Sequence, residues 1–253
     1  MKIIAIIPVR MASTRFPGKP LVDILGLSMV EHVRRRTELS SIIDEVIVAT
    51  CDQVIVEEVE KYGGKAVMTS DAHQRCTDRV AEAAATLEAD IIVNVQGDEP
   101  LLYPEMFESL VSPLLEEPEL VCSNMVSVIK NQNDYLSDHV VKAVSDLKKN
   151  IIYFSREPIP SMRKSVTDHF PKYKQLGLIA FRKDFLIQFT QLPPSPLEVI
   201  ESVDMLRAIE LGYKIRMVET TADTVGVDTP EDLEYTKILM KNDLFFPSYL
   251  KVK

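Results

Sequence analysis

A loop that gathers three cations around a turn is the first segment of this sequence with the means for chemistry. Arg10, Arg15 and Lys19 fall within ten positions, with Ser13 among them and Pro17-Gly18 making the turn. Cationic side chains and backbone N–H groups in such a loop can wrap a polyphosphate. Read alone, the segment serves equally as a solvated basic turn, and it matches neither the Walker A nor the GxGxxG pattern. The second segment is Gln96-Gly97-Asp98-Glu99-Pro100. A carboxylate beside a glycine that admits a ligand suits Mg2+, although in isolation it is an ordinary strand-end turn. The third is Asp228, ahead of Thr229-Pro230-Glu231-Asp232. Its simplest role is helix capping, at Asp228 or Thr229. Asp98 and Asp228, from two loops, could also hold Mg2+ together while substrate phosphates complete the octahedron.

Three weaker candidates follow. Glu198, Glu201 and Asp204 recur three apart in a segment that reads as one helix over 196–211. They form either a solvated acidic face or a set of acceptors for a polyol. Arg156, after an apolar strand, could take a carboxylate bidentately or sit in a surface ion pair. Cys76 lies between Arg75 and Arg79, which would lower a thiol pKa, but no partner base is evident and a nucleophilic role is not expected.

These residues need a scaffold, and the hydrophobic pattern supplies one. Apolar runs rich in β-branched residues at 3–7, 45–50 and 91–95 suit strands buried on both faces, with a short strand at 65–68. Helical spacing covers 28–39, 53–62, 77–88 and 104–116, and Gly63-Gly64 ends the second of these. The alternation predicts an α/β fold with a mostly parallel sheet, whose ligands bind at the carboxyl ends of the strands. The loops at 8–20 and 96–100 lie at that edge. Further on, strands are expected at 121–128, 140–144, 151–156, 176–181 and 214–218, with a proline-rich loop over 157–173. The chain reads as a single domain over 1–253 with an inserted subregion at about 125–195.

Composition narrows the function. The 253 residues carry 29 Lys plus Arg against 38 Asp plus Glu, a net charge of −9, which argues against a general nucleic-acid binder, since that would need a basic face. A small anionic substrate held by a few local cations remains compatible. Cys51, Cys76 and Cys122 are too few for a disulfide framework, and His32, His73, His139 and His169 lack metal-ligand spacing. The first apolar run stops at Pro8, too short for a signal peptide, and no stretch nears the ~20 apolar residues of a membrane span. A cytoplasmic protein with no membrane partner is expected.

Five ordered segments carry a resemblance. The stretch from Ile7 to Leu21, reading Ile-Pro-Val-Arg-Met-Ala-Ser-Thr-Arg-Phe-Pro-Gly-Lys-Pro-Leu, resembles the signature loop of sugar nucleotidyltransferases and most closely that of the CMP-KDO synthetases, the 3-deoxy-manno-octulosonate cytidylyltransferases. Val93-Asn94-Val95-Gln96-Gly97-Asp98-Glu99-Pro100, Tyr153-Phe154-Ser155-Arg156, Ser195-Pro196-Leu197-Glu198 and Gly226-Val227-Asp228-Thr229-Pro230-Glu231-Asp232-Leu233 extend it to about residue 235. The resemblance implies a Rossmann-like, GT-A-like nucleotidyltransferase, a three-layer sandwich with a mixed, mostly parallel sheet and an inserted dimerisation subregion. It implies a homodimer that joins CMP from CTP to the anomeric hydroxyl of a 2-keto-3-deoxy sugar acid and releases pyrophosphate, with Mg2+, for surface polysaccharide synthesis. By the same resemblance Arg10, Ser13, Arg15 and Lys19 hold the triphosphate, and Asp98 and Asp228 hold Mg2+. Pro8, Gln74 and Arg79 lie near the base, and Gln96 and Gly97 line the floor near the nucleotide and the sugar. Arg156 takes the sugar carboxylate, Gln175 faces the sugar, and Glu198 and Glu201 accept its hydroxyls.

Two segments depart from the family pattern. The base-recognition loop His-Gln-Ser-Gly-Thr-Asp/Glu-Arg reads His73-Gln74-Arg75-Cys76-Thr77-Asp78-Arg79 here, which puts its path in question because Gly is replaced. A segment resembling His-Leu-Gly-Ile-Tyr reads Gln175-Leu176-Gly177-Leu178-Ile179, replacing two polar partners by an amide and an aliphatic group. Such exchanges can shift substrate choice, so a related ulosonate is a second expectation beside KDO. A different NTP, or a catalytically degenerate binding homologue, completes the alternatives.

Overall fold

The apolar run at the start of the chain becomes β1 (Ile3–Val9), buried along its whole length. The structure, a computed structural model, describes residues 1–12, 16–73, 75–164, 170–222 and 224–250. It divides into two compact units: Met1–Glu108 with Asp223–Lys253, and Ser109–Ala222.

In the first unit the loop after β1 leads into a single 3-10 turn (Lys19–Leu21) and a short hairpin, β2 (Asp23–Ile24) and β3 (Leu27–Ser28). There follow α1 (Met29–Glu38), β4 (Glu45–Thr50), α2 (Gln53–Lys61), β5 (Lys65–Met68), α3 (Cys76–Ala85) and β6 (Ile91–Asn94). Strand β1 pairs in parallel with β4 on one side, Ile6 opposite Ile47, and with β6 on the other, Ile6 opposite Asn94. β5 extends the sheet beyond β4, also in parallel. The chain therefore moves from β1 to β4 and β5 in one direction and returns to β6 on the far side of β1. That reversal makes the carboxyl ends of β1 and β6 a topological switch point, the place where such sheets bind ligands. The two loops leaving it are those that carry Arg10, Lys19 and Asp98.

Helix α1 anchors the end of the chain. Its His32, Arg35 and Arg36 are buried and meet α10 (Phe246–Leu250), the last described element, which follows α9 (Pro230–Met240). The Ile24 carbonyl lies 2.6 Å from His32 Nε2 and can only accept, so Nε2 carries the proton and Nδ1 accepts from the Tyr249 hydroxyl at 3.0 Å. Arg35 Nη1 donates to the Tyr249 carbonyl at 2.8 Å, and Arg36 Nη1 to that of Leu102 at 2.8 Å. Burial, with the nearby Arg36 and Arg35 charges, outweighs the Ile24 carbonyl and pushes the His32 pKa down to about 4. Between pH 6.5 and that value only the unfolded chain takes up the proton. The folded state is then expected to lose about 3 kcal/mol as pH falls through this window. Thermal melts at pH 7 and pH 4 read this loss. The profile should flatten in His32→Gln, and equal slopes would contradict it.

Helix α4 (Glu105–Glu116) begins in the first unit and ends in the second, which continues with β7 (Cys122–Val128), α5 (Gln132–Leu136), β8 (Lys142–Ser145), β9 (Ile151–Ser155), β10 (Tyr173–Arg182), α6 (Lys183–Gln191), α7 (Pro196–Glu201), α8 (Met205–Glu210) and β11 (Ile215–Thr220). β7 pairs in parallel with β11 and antiparallel with β10, and β8 joins β10 and β9 antiparallel. The expected α/β class and mixed, mostly parallel sheet are what the pairings show. The expected single helix over 196–211 is two. Ser202 takes a left-handed conformation, φ 53° and ψ 44°, which closes α7, and the chain restarts at Met205. Glu198 and Glu201 therefore share α7 while Asp204 stands at the start of α8, so the three acids do not line one helix face.

Candidate active site

Lys19, Asp98 and Asp228 converge in the first unit. The Lys19 Nζ donates to Asp98 Oδ2 at 2.7 Å and to Asp228 Oδ1 at 3.0 Å. Local structure explains why each is available. Gly18, at φ 74°, takes the left-handed turn that opens the 3-10 helix and projects Lys19. Asp98 leaves the β6 edge, and its carbonyl accepts from the Val227 N–H at 2.9 Å, tying the two acid-bearing loops together. Thr229, not Asp228, caps α9: its Oγ1 accepts from the Asp232 N–H at 3.2 Å while Asp232 Oδ2 accepts from the Thr229 N–H at 2.9 Å. With capping done by its neighbour, the Asp228 carboxylate is turned to Lys19. Burial acts to lower the Lys19 pKa, and Asp98 and Asp228 more than offset it, so the ammonium is held charged.

A cleft in the same unit is lined by Pro8, Arg10, His73, Arg75, Cys76 and Arg79, at the end of β1 and the start of α3. Arg79 is almost wholly buried; its Nη2 lies 3.5 Å from Cys51 Sγ and its Nη1 donates to Thr69 Oγ1. His73 pairs with Glu82, which also accepts from the Ser70 N–H at 2.9 Å and so braces the loop before α3. Gly97 sits against the end of β1. A Cβ there would lie 2.1 Å from Val9 Cγ1 and 3.3 Å from the Pro8 carbonyl. Gly97→Ala is thus expected to cost about 2 kcal/mol and to lower the melting temperature by roughly 5 °C. Val9→Ala in the same chain should recover most of it, and a single variant as stable as wild type would contradict the packing. Ser13, Arg15 and Gln74 lie outside the described residues.

Of the sugar-side candidates, Gln96 is in the first unit, and Arg156, Gln175, Glu198 and Glu201 are in the second. The Arg156 guanidinium donates to the carbonyls of Glu201 at 2.7 Å, Asp138 at 2.8 Å and Ser202 at 3.3 Å. Glu201 accepts from the Arg156 N–H, the Ser155 hydroxyl and the Tyr153 hydroxyl. Burial would raise its pKa, but these hydrogen bonds prevail and lower it. Gln175 Nε2 donates to Asn124 Oδ1 at 2.6 Å, and Ile179 is buried. Glu198 departs from expectation. It is 1% exposed, and both its oxygens are gripped by Arg207, Nε and Nη2 each at 2.7 Å. Its carboxylate serves the packing of α7 on α8 in place of the expected sugar hydroxyl.

Known proteins decide what this arrangement belongs to. A family model described as cytidylyltransferase matches residues 4–217. The 3-deoxy-manno-octulosonate cytidylyltransferase of Geobacter metallireducens is 47% identical over 243 residues, covering 92% of this chain and 96% of the relative. That of Geotalea uraniireducens is 48% identical over 243 residues, covering 92% and 97%. The chain belongs to the 3-deoxy-manno-octulosonate cytidylyltransferases. A solved structure of CMP:2-keto-3-deoxy-manno-octonic acid synthetase complexed with CTP superposes with a TM-score of 0.90 at 38% identity, covering 96% of this chain and all of the other. Within this cytidylyltransferase the exchanged pair Arg75-Cys76 itself requires no strained backbone. Arg75 is extended, at φ −107° and ψ 146°, and Cys76 begins α3, so neither position calls for glycine.

Among the described residues no group of three or more His, Cys, Asp or Glu side chains gathers as a protein-only metal cage. The donor set is instead two carboxylates already converging on one cation. That fits Mg2+, which takes one or two protein carboxylates and completes its shell with phosphate and water.

Proposed function

We propose that this chain catalyses CTP plus KDO to CMP-KDO plus pyrophosphate. The convergence of Lys19, Asp98 and Asp228 at the switch-point edge is the observation that carries this reading. The sugar's anomeric oxygen attacks the α-phosphorus and the bond to the β-phosphate oxygen breaks in line. Such a step needs placement and charge neutralisation more than covalent catalysis. Arg10 and Lys19, with Ser13 and Arg15, hold the triphosphate, and the charged Lys19 ammonium offsets the negative charge that builds on departing pyrophosphate. Pro8, Gln74 and Arg79 bound the base, with Arg79 locked by Thr69 and Cys51, and Gln96 and Gly97 form the floor, where the lack of a side chain at Gly97 keeps the end of β1 undisturbed. Asp98 and Asp228 would hold Mg2+, which when bound neutralises phosphate charge and lowers the pKa of the attacking hydroxyl.

On the acceptor side, Arg156 takes the sugar carboxylate through the N–H groups its backbone contacts leave over, and Glu201 orders that segment while offering remaining lone pairs to a hydroxyl. Gln175 meets the sugar through its carbonyl. The amide at Gln175 and the aliphatic Ile179 also favour a second reading, a close relative of KDO as acceptor. Among the described residues no helix is long and apolar enough to cross a membrane. A cytoplasmic role in surface polysaccharide synthesis fits the substrates. The inserted subregion at about 125–195 would serve sugar binding and dimerisation. A homodimer would cover exposed apolar side chains of the second unit, among them Leu147, Ile152 and Ile200.

A substrate panel tests the reading. Pyrophosphate release is expected with CTP and KDO and not with ATP or GTP. Release only with a modified ulosonate would move the acceptor to the second reading. Tight CTP binding without release for any acceptor would overturn catalysis.

A further inference from the structure

Asp52 follows β4 and stands at the N-cap position of α2, where a carboxylate ordinarily accepts from the helix's own first turn. It does not do so: its side chain makes no capping bond. Instead Asp52 Oδ2 accepts from the Met11 N–H at 2.7 Å, forty-one residues away in the loop after β1. The Met11 carbonyl in turn accepts from the Gly18 N–H at 3.3 Å. Gly18 is the left-handed residue that launches Lys19, and Lys19 reaches Asp98 and Asp228. A continuous series of bonds thus runs from the end of β4 to the ammonium at the candidate active site, within one unit of the fold. The neighbouring Cys51 Sγ stands 3.5 Å from Arg79 Nη2, so the same corner also touches the other wall of the cleft.

We infer that Asp52 is a positioning residue for the triphosphate, fixing the loop of Arg10 and Lys19 from outside the cleft. The inference rests on the proposed triphosphate role of that loop. A carboxylate turned to a distant N–H in place of its own helix makes no capping bond for α2; what it secures is a fixed Met11. Fixing a loop in its bound shape lowers the entropy that binding must otherwise overcome. The effect falls on the triphosphate beyond the single phosphate that CMP shares with CTP, since Met11, Gly18 and Lys19 are the links in the series.

Calorimetric titration of the full chain with CTP and with CMP, in wild type, Asp52→Ala and Asp52→Asn, tests it. Expected is a loss of about tenfold in CTP affinity in Asp52→Ala with CMP affinity within twofold of wild type. Asp52→Asn, whose Oδ1 still accepts from Met11, should recover CTP binding to within threefold. Equal losses for CTP and CMP would reduce Asp52 to a structural residue, and unchanged CTP binding in a folded Asp52→Ala would also overturn the inference. Wild type that binds CTP no better than CMP would instead overturn the triphosphate role of the loop itself.

Discussion

Asp98→Asn is expected to lower turnover about a thousandfold while leaving the melting temperature within a few degrees of wild type. A thousandfold corresponds to about 4 kcal/mol, the scale on which a single preorganised electrostatic group acts at a reacting centre. The amide retains the shape of the side chain and one acceptor, but not the charge. Among the described residues Lys19 then keeps only Asp228 as an ionic partner, and the pair of carboxylates suited to a divalent ion is halved. Stability changes little because Asp98 is partly solvated, its side chain 31% exposed, and such ion pairs contribute modestly to folding. Steady-state pyrophosphate release at saturating CTP, KDO and Mg2+, beside a thermal melt, reads both quantities. Turnover near wild type would remove Asp98 from the reaction.

Glu198→Gln should act in the opposite sense, through stability. Arg207 is 4% exposed; besides Glu198, its Nη1 donates to the carbonyls of Phe189 at 3.0 Å and Leu192 at 2.9 Å, and its guanidinium lies 4.6 Å from the centre of the Phe189 ring. Neutralising Glu198 removes the negative charge that the buried Nε and Nη2 of Arg207 both meet, a change that costs about 3–5 kcal/mol. The melting temperature should fall by roughly 10 °C, while the surviving folded fraction binds sugar acid with a KM within about twofold. A stable variant with a raised KM for the sugar acid would restore Glu198 to the substrate and contradict the buried pair.

The contrast between these two acids shows what the sequence could reveal. Strands β1, β4 and β6 were legible because central parallel strands are buried on both faces and read as unbroken apolar runs. The loops at their ends were legible by type, since cations around Pro17-Gly18 and an acid after Gly97 are unusual company for a strand end. That Asp98 and Asp228 meet was not readable from spacing: each has a sufficient local explanation, and only the fold joins positions 130 apart. Thr229 and Asp232 forming the cap is what leaves Asp228 available. The break at Ser202 was hidden because a left-handed serine carries no sequence signal, and with it was hidden the meeting of Glu198 with Arg207. The β2–β3 hairpin is too short for a period to register. Asp52 passed unnoticed for the opposite reason, since an aspartate before a helix is where capping leads one to expect it.

Transfer of a cytidylyl group to KDO is read most directly from reaction stoichiometry, with purified protein supplied with CTP, KDO and Mg2+ and pyrophosphate, CMP-KDO and remaining CTP followed together. Expected is one pyrophosphate and one CMP-KDO for each CTP consumed, with no free CMP ahead of the sugar nucleotide. Intact CTP after prolonged incubation with KDO, or free CMP formed without CMP-KDO, would contradict it.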